Sequence, residues 1–247
     1  WDYTTNFAYY IPTYANLHVL QANMQYFAEH NARGMFPQGN RNGPSGEFGE
    51  LRAYLIGKLL MDPYMSKTEY YAHMDEFLAA YYGEGWTYIR KYIDAFTTYA
   101  KLSSKGLGIY SHPFLMISQG TFAASEKTFH EWWDAAEALA GDRLEYVQRS
   151  RLQWRCIQIL IHPDDEAPEE HLRKIRDMGL RGVKIHPDYQ GVYIDDPRYI
   201  RIAREAVRLG LILITHAGVD DGFPEETHCP PERAARFVGA VYEGQKD

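Results

Sequence analysis

Hydrophobic side chains change their period near residue 160. Before it, apolar positions recur every three or four residues over long stretches; after it, short apolar runs alternate with helical patterns. Leu17, Leu20, Met24 and Phe27 predict a helix between Tyr14 and about Asn31, and Gly34 to Gly39 predicts a short strand that leaves into a Gly- and Asn-rich loop, Gly39 to Gly46. Leu51, Tyr54, Leu55, Leu59 and Leu60 share one face of a helix running from Phe48 to a stop at Pro63. Ser66 and Glu69 form a capping box, each satisfying an orphan backbone donor of the other, and open a helix that ends at Gly83. Trp86, Ile89, Ile93, Phe96 and Ala100 predict a packed helical seam. After an aromatic segment, Tyr110 to Ile117, further helices are predicted from about Glu126 to Ala140 and from Asp142 to Leu160. Consecutive helices of this kind imply a bundle-like layer.

The remainder reads helix (167–178), strand (181–186), helix (197–209), strand (211–216) and helix (231–243). Gly182 to Pro187 and Leu211 to Gly218 are apolar runs that predict buried parallel strands. The helix joining them has Asp196 as N-cap, Pro197 at its first position, apolar Ile200, Ile202, Ala203 and Val207, and Gly210 at its close. The expected fold class is α/β, with partial (β/α) barrel elements and a helical bundle-like N-terminal region, divided into residues 1–160 and 161–247. A closed barrel of this kind uses about eight strands, so the chain has too few to enclose one by itself.

With 247 residues, a net charge of −7 and a pI near 5.8, the chain lacks the basic stripe that neutralises phosphates, which excludes a nucleic-acid partner. Cys156 and Cys229 are the two cysteines, too few for a disulfide framework or a paired-cysteine zinc site. No apolar run is long enough to span a membrane, and no leader is visible at Trp1, where the chain looks trimmed. A soluble protein is expected, in the bacterial cytoplasm or secreted. Most tyrosines and all tryptophans precede residue 155, which again divides the chain in two.

Candidate chemistry lies at the ends of the two predicted strands, where α/β barrels build their sites. His216 is the candidate metal ligand, through a neutral imidazole nitrogen; the alternative is a strand-end histidine hydrogen-bonded within its loop. Lys184 and His186, two apart, share a strand face and are candidate catalytic groups, with an ion pair from Lys184 to Asp188 or Asp195 as the alternative. Asp220 is a third catalytic candidate in the loop after His216. Like Asp221 and His228, it has solvation of a turn as its competing explanation. In the first part, Trp1, Asp2, Tyr3 and Glu47 are candidate substrate-binding residues, since aromatic rings stack on sugar faces and carboxylates act on glycosides. Packing competes for the rings. For Glu47 and its neighbour Glu50, three residues on, the competitor is a favourable charge at a helix start.

Several motifs carry family resemblances. Trp1-Asp2-Tyr3, Pro12 to Leu17, Gly34 to Gly39, Gly46 to Leu55 and Lys58 to Pro63, continued by Phe77-Leu78 and Tyr81 to Gly83, resemble the C-terminal part of a bacterial glycoside-hydrolase-like, carbohydrate-associated family of unknown function, up to about Arg155. That resemblance makes Trp1 to Tyr3 and Gly34 to Gly39 the ends of the last two barrel strands. Ile161 to Pro163, Gly179 to Pro187 with Gln190, Asp195 to Pro197, His216 to Gly218 with Asp220, and Cys229 to Glu232 are similar to the central part of the metal-dependent amidohydrolases, which have a distorted (β/α) barrel. It implies zinc or another divalent cation. The His-x-His pair and late-strand aspartate of that family have no counterpart here.

The chain thus resembles the end of one enzyme joined to the middle of another near Leu160-Ile161. Three classes of function compete: a hydrolase acting on a carbohydrate or an amide-bearing small molecule and needing strands from elsewhere, a non-catalytic carbohydrate-binding module, and a scaffold or inactive fusion that self-associates through apolar surface left by absent strands.

Overall fold

A computed structural model describes residues 1–39, 47–162, 168–177 and 179–243. The chain divides into two compact units, Trp1–His162 and Pro163–Asp247. Over the described residues the protein is mostly helical with four short strands, and no closed barrel forms among them.

In the first unit, β1 (Asp2–Tyr3) pairs in parallel with β2 (Pro37–Gln38), Asp2 opposite Pro37 and Tyr3 opposite Gln38. Between them, α1 (Leu20–Glu29) is shorter than its apolar spacing predicts. It ends before Asn31, whose φ of 66° is left-handed and breaks the helical path. Most of the expected loop from Gly39 to Gly46 lies outside the described residues. α2 (Gly49–Met61), α3 (Lys67–Tyr82), α4 (Trp86–Leu102), α5 (Gln119–Leu139) and α6 (Leu144–Ile161) then pack in succession, with α6 also against α3.

The capping box at Ser66 is fully formed, with the Ser66 hydroxyl accepting from Glu69 N and the Glu69 carboxylate accepting from Ser66 N. α5 starts well before the expected Glu126, because Ser118 caps it by accepting from Thr121 N, and Phe122 and Ser125 continue the buried face set by Phe129 and Trp133. Tyr70, Tyr82, Tyr92, Phe129, Trp133 and Trp154 fill the core. Tyr92 meets Phe96, Phe129 and Trp133 at ring separations of 4.6, 5.0 and 5.2 Å. A helical turn at Gly83–Gly85 approaches α5 so closely that a Cβ on Gly85 would lie 2.4 Å from the Ala136 carbonyl oxygen.

The second unit carries α7 (Pro168–Asp177), β3 (Gly182–Ile185), the short α8 (Pro187–Gln190), α9 (Pro197–Arg208), β4 (Ile212–Thr215) and α10 (Pro231–Tyr242). β3 and β4 are parallel, Lys184 opposite Ile214 and Ile185 opposite Thr215. Asp196 caps α9 by accepting from Arg198 N, as its place before Pro197 predicts. α9 packs against α7, α10 and β4.

The expectation that both strands are buried is corrected by the side-chain pattern. Val183, Ile185 and Leu213 point into cores built from the helices, such as Tyr199, Ala203, Phe237 and Val241. The alternate positions face outward, leaving Ile212 62% and Ile214 57% exposed beside Lys184. An apolar run does not tell a strand covered on both faces from one covered on one face.

Candidate metal centre

Strand period and parallel register place His186 and His216 side by side. Each is the residue just past its strand, and each continues the outward face, His186 after Gly182 and Lys184, His216 after Ile212 and Ile214. Their rings stack with centroids 4.3 Å apart and planes 7° from parallel. The His186 backbone N–H donates to Gln190 Oε1 at 2.9 Å, and Gln190 Oε1 also accepts from the hydroxyl of buried Tyr199 at 2.6 Å, so the histidine is pinned by the first turn of α8 and by α9.

Asp220 completes the group from the loop after β4. Its Oδ1 accepts from Gly222 N at 2.8 Å, which fixes the carboxylate in a tight turn. Its Oδ2 lies 3.4 Å from His186 Nε2 and 3.8 Å from His216 Nε2. One ligand atom from each of the three residues falls within 4.8 Å of the others, and among the described residues no other three such side chains converge in this way. His216 Nε2 is buried and has no hydrogen-bond partner. Burial lowers the pKa of His186, and the neighbouring His216 ring lowers it further, so the imidazole is held neutral with a lone pair to offer. Two imidazoles and one carboxylate, with the His216 Nε2 buried and unpartnered among them, suit a divalent cation.

Around this group the remaining site residues take distinct positions. Lys184 is exposed on the open sheet face and makes no ion pair among the described residues. The two carboxylates expected to hold it are engaged elsewhere. Asp195 lies 2.6 Å from Arg233 and 2.9 Å from Arg236, and Asp188 binds His228. His228, expected to solvate a turn, is instead mostly enclosed. Its backbone N–H donates to Asp188 Oδ1 at 2.8 Å, and its Nδ1 lies 3.1 Å from the same oxygen. Burial raises the Asp188 pKa, but the two His228 hydrogen bonds and the nearby imidazoles outweigh it and hold the carboxyl below its ordinary value. Tyr189 stands edge-on to His186 at 4.4 Å and to Phe223 at 5.0 Å, forming an aromatic rim. Neither Asp188 nor Tyr189 was singled out as a site residue from sequence; their adjacency to His186 was the available signal, and the His228 contact, forty residues away, had none.

The candidates of the first unit do not converge into one site. Trp1 (79% exposed) and Tyr3 stand on the surface, Trp1 edge-on to Phe36 at 4.9 Å, with its Nε1 donating to Gln38 Oε1. Asp2 is half-buried, and burial raises its pKa. Glu47 is enclosed in the core, its Oε1 2.5 Å from Arg52 Nη2 without the alignment of a hydrogen bond, and burial pushes its pKa up to about 7 against the opposing pull of Arg52. It sits outside α2, whose N-cap is the left-handed Phe48. A groove of about 520 Å³ on α5 and α6, lined by Glu126, His130, Asp134 and Gln158 among others, brings no three metal-binding side chains together.

A strand-end pair of imidazoles beside a loop carboxylate is a group that could hold a metal ion. The chain belongs to the amidohydrolase family, whose model, described as Amidohydrolase, matches residues 115–239. That family generally binds a divalent metal and implies a barrel-like fold. A second family model, described as a domain of unknown function (DUF4838), matches residues 1–94 and brings no activity with it. The amidohydrolase match begins upstream of the junction that the motifs suggest near Leu160-Ile161. No curated protein and no solved structure matches the chain. Among the described residues, no helix is long and apolar enough to cross a membrane.

Proposed function

We propose that the second unit carries the metal centre of an amidohydrolase-type hydrolase acting on an amide or related bond of a small molecule, with His186, His216 and Asp220 as the ligands. The observation that supports this reading is the convergence of those three side chains within 4.8 Å at the ends of β3 and β4. Three protein ligands and an open position are what a catalytic zinc site needs. A divalent cation supplies Lewis-acid polarisation of a carbonyl and acidification of water.

The chain's own groups prepare the place for that chemistry. The turn at Gly222 aims the Asp220 carboxylate at both rings, and burial lowers the pKa of His186. Lys184, exposed on the same sheet face and without an ion pair among the described residues, offers its ammonium to an anionic group of the substrate. Tyr189 and Phe223 offer an apolar wall at the rim. His186 and Asp220, taken from sequence as catalytic groups, are reassigned in this proposal to holding the cation beside His216.

Metal content tests it. After dialysis against zinc and then against metal-free buffer, the wild-type chain should retain about one divalent ion per chain and His216→Ala should retain almost none. Equal retention by both would dismiss the centre.

A second reading draws on the exposed rings of Trp1, Tyr3 and Phe36, which suit stacking against a sugar face. In a glycan-binding screen, Trp1→Ala should lose whatever binding the wild type shows; an unchanged profile, or no binding by either, removes this role.

A further inference from the structure

Asp188 has a bonding pattern that its contact with His228 does not exhaust. Its side chain is 0% exposed, and Oδ1 alone serves His228, accepting from the backbone N–H and facing Nδ1. Oδ2 is buried and has no hydrogen-bond partner. A carboxylate oxygen enclosed without a donor is costly. Two residues back along the chain, His186 Nδ1 is also buried and without a partner. The other nitrogen of that ring, Nε2, is the one that faces Asp220. One orphaned acceptor and one orphaned ring nitrogen therefore flank Pro187 at the start of α8, and a contact between them would satisfy both.

We infer that Asp188 is a positioning residue for the metal centre, its Oδ2 accepting the Nδ1–H of His186 so that Nε2 of that ring presents its lone pair to the cation, while its Oδ1 keeps the loop bearing His228 in place. This rests on the metal-centre reading given above. Histidines that bind metals almost always donate their other ring N–H to a carboxylate, carbonyl or water, which fixes the tautomer and the ring orientation. His186 has no such acceptor engaged, and Asp188 is a buried carboxylate with one oxygen to spare. The inference also accounts for a fully enclosed acid in a unit with a small core: it links the strand-end ligand to the loop that returns from Asp220 to Cys229, whose carbonyl accepts from Gly218 N at 3.1 Å.

The experiment compares zinc affinity of the wild-type chain, Asp188→Asn and His228→Ala by competition with a chromophoric chelator, together with the ring-nitrogen NMR spectrum of the zinc-loaded wild type. Asp188→Asn should bind zinc about 10- to 100-fold more weakly. His228→Ala keeps the backbone bond to Asp188 and should stay within roughly threefold of wild type. In the zinc-loaded wild type, His186 should show a protonated Nδ1 with a slowly exchanging proton. Equal zinc affinity for Asp188→Asn and wild type overturns the inference, and so do equal losses in the two variants, which would mean that Asp188 acts only through His228. An unprotonated Nδ1 on His186 in the wild type overturns it without reference to any variant, including one that fails to fold. If the wild type takes up no zinc, the metal-centre reading itself falls, and this inference with it.

Discussion

The two units handle buried polar groups differently. In the helical unit such groups are largely absorbed into packing: the Tyr70 hydroxyl donates to the Leu17 carbonyl, Tyr82 pairs with Ser150, and Thr13 links Tyr92 to Gln153. The buried polar atoms left without partners there are distributed through the unit, from His18 to the indole nitrogens of Trp133 and Trp154. In the second unit the apolar core is split into two small clusters, and every such unpartnered atom among the described residues belongs to His186, Asp188 or His216. A scattered deficit is the residue of dense packing. A deficit gathered at two strand ends calls for a local explanation, which the proposed metal centre supplies.

Removal of a core ring should have the largest effect in the helical unit. Trp133→Ala should cost about 3–5 kcal/mol of unfolding free energy in a denaturant titration, since its ring is enclosed among Tyr92, Phe129 and their neighbours. A cost under about 1 kcal/mol would mean that this core is loosely packed.

Glu47 comes next. Its pKa rises from 4.5 to about 7 on folding, so the folded state binds the proton more tightly than the unfolded one. The resulting stabilisation is complete below about pH 4.5 and is lost as the pH rises through about 7, a change on the order of 3 kcal/mol. Glu47→Gln should flatten the dependence over that window, as read from unfolding midpoints at successive pH values.

In the second unit, Gly182→Ala should cost about 1–3 kcal/mol. A Cβ at Gly182 would sit 2.2 Å from the Ile212 carbonyl oxygen, so β3 and β4 must separate and His186 must leave His216. Zinc uptake should fall together with stability; retained uptake would show that the ring pair does not depend on strand register. The smallest effect is expected at the start of α3, where Ser66→Ala removes one half of the capping box and should cost about 1 kcal/mol, measured by thermal unfolding.

Much of this arrangement is legible in the chain because local chemistry determines it. The capping box at Ser66, the Asp196-Pro197 helix start and the two short strands with histidines at their ends all depend on residues a few positions apart. What escapes a linear reading depends on pairing across distance. The Asp188–His228 contact joins residues forty apart, and the engagement of Asp195 by Arg233 and Arg236, which takes it from Lys184, is of the same kind. Hydrophobic period located β4 but could not tell that Ile212 and Ile214 face outward, because both faces of a strand carry the same apolar residues here. The early start of α5 was hidden by Gly120 and Thr121, weak helix formers that Ser118 and the core-facing Phe122 override.

Gly85 joins the two stretches that the family models match. It lies within the stretch matched by the domain of unknown function, whereas Ala136, against whose backbone it rests, lies within the amidohydrolase match. Peptide planes from the two matched stretches thus meet with no room for a single methyl group between them, and Phe96 of the intervening stretch stacks on Phe129. A division of the chain between residues 94 and 115 would therefore lay bare the rings on both sides of the cut.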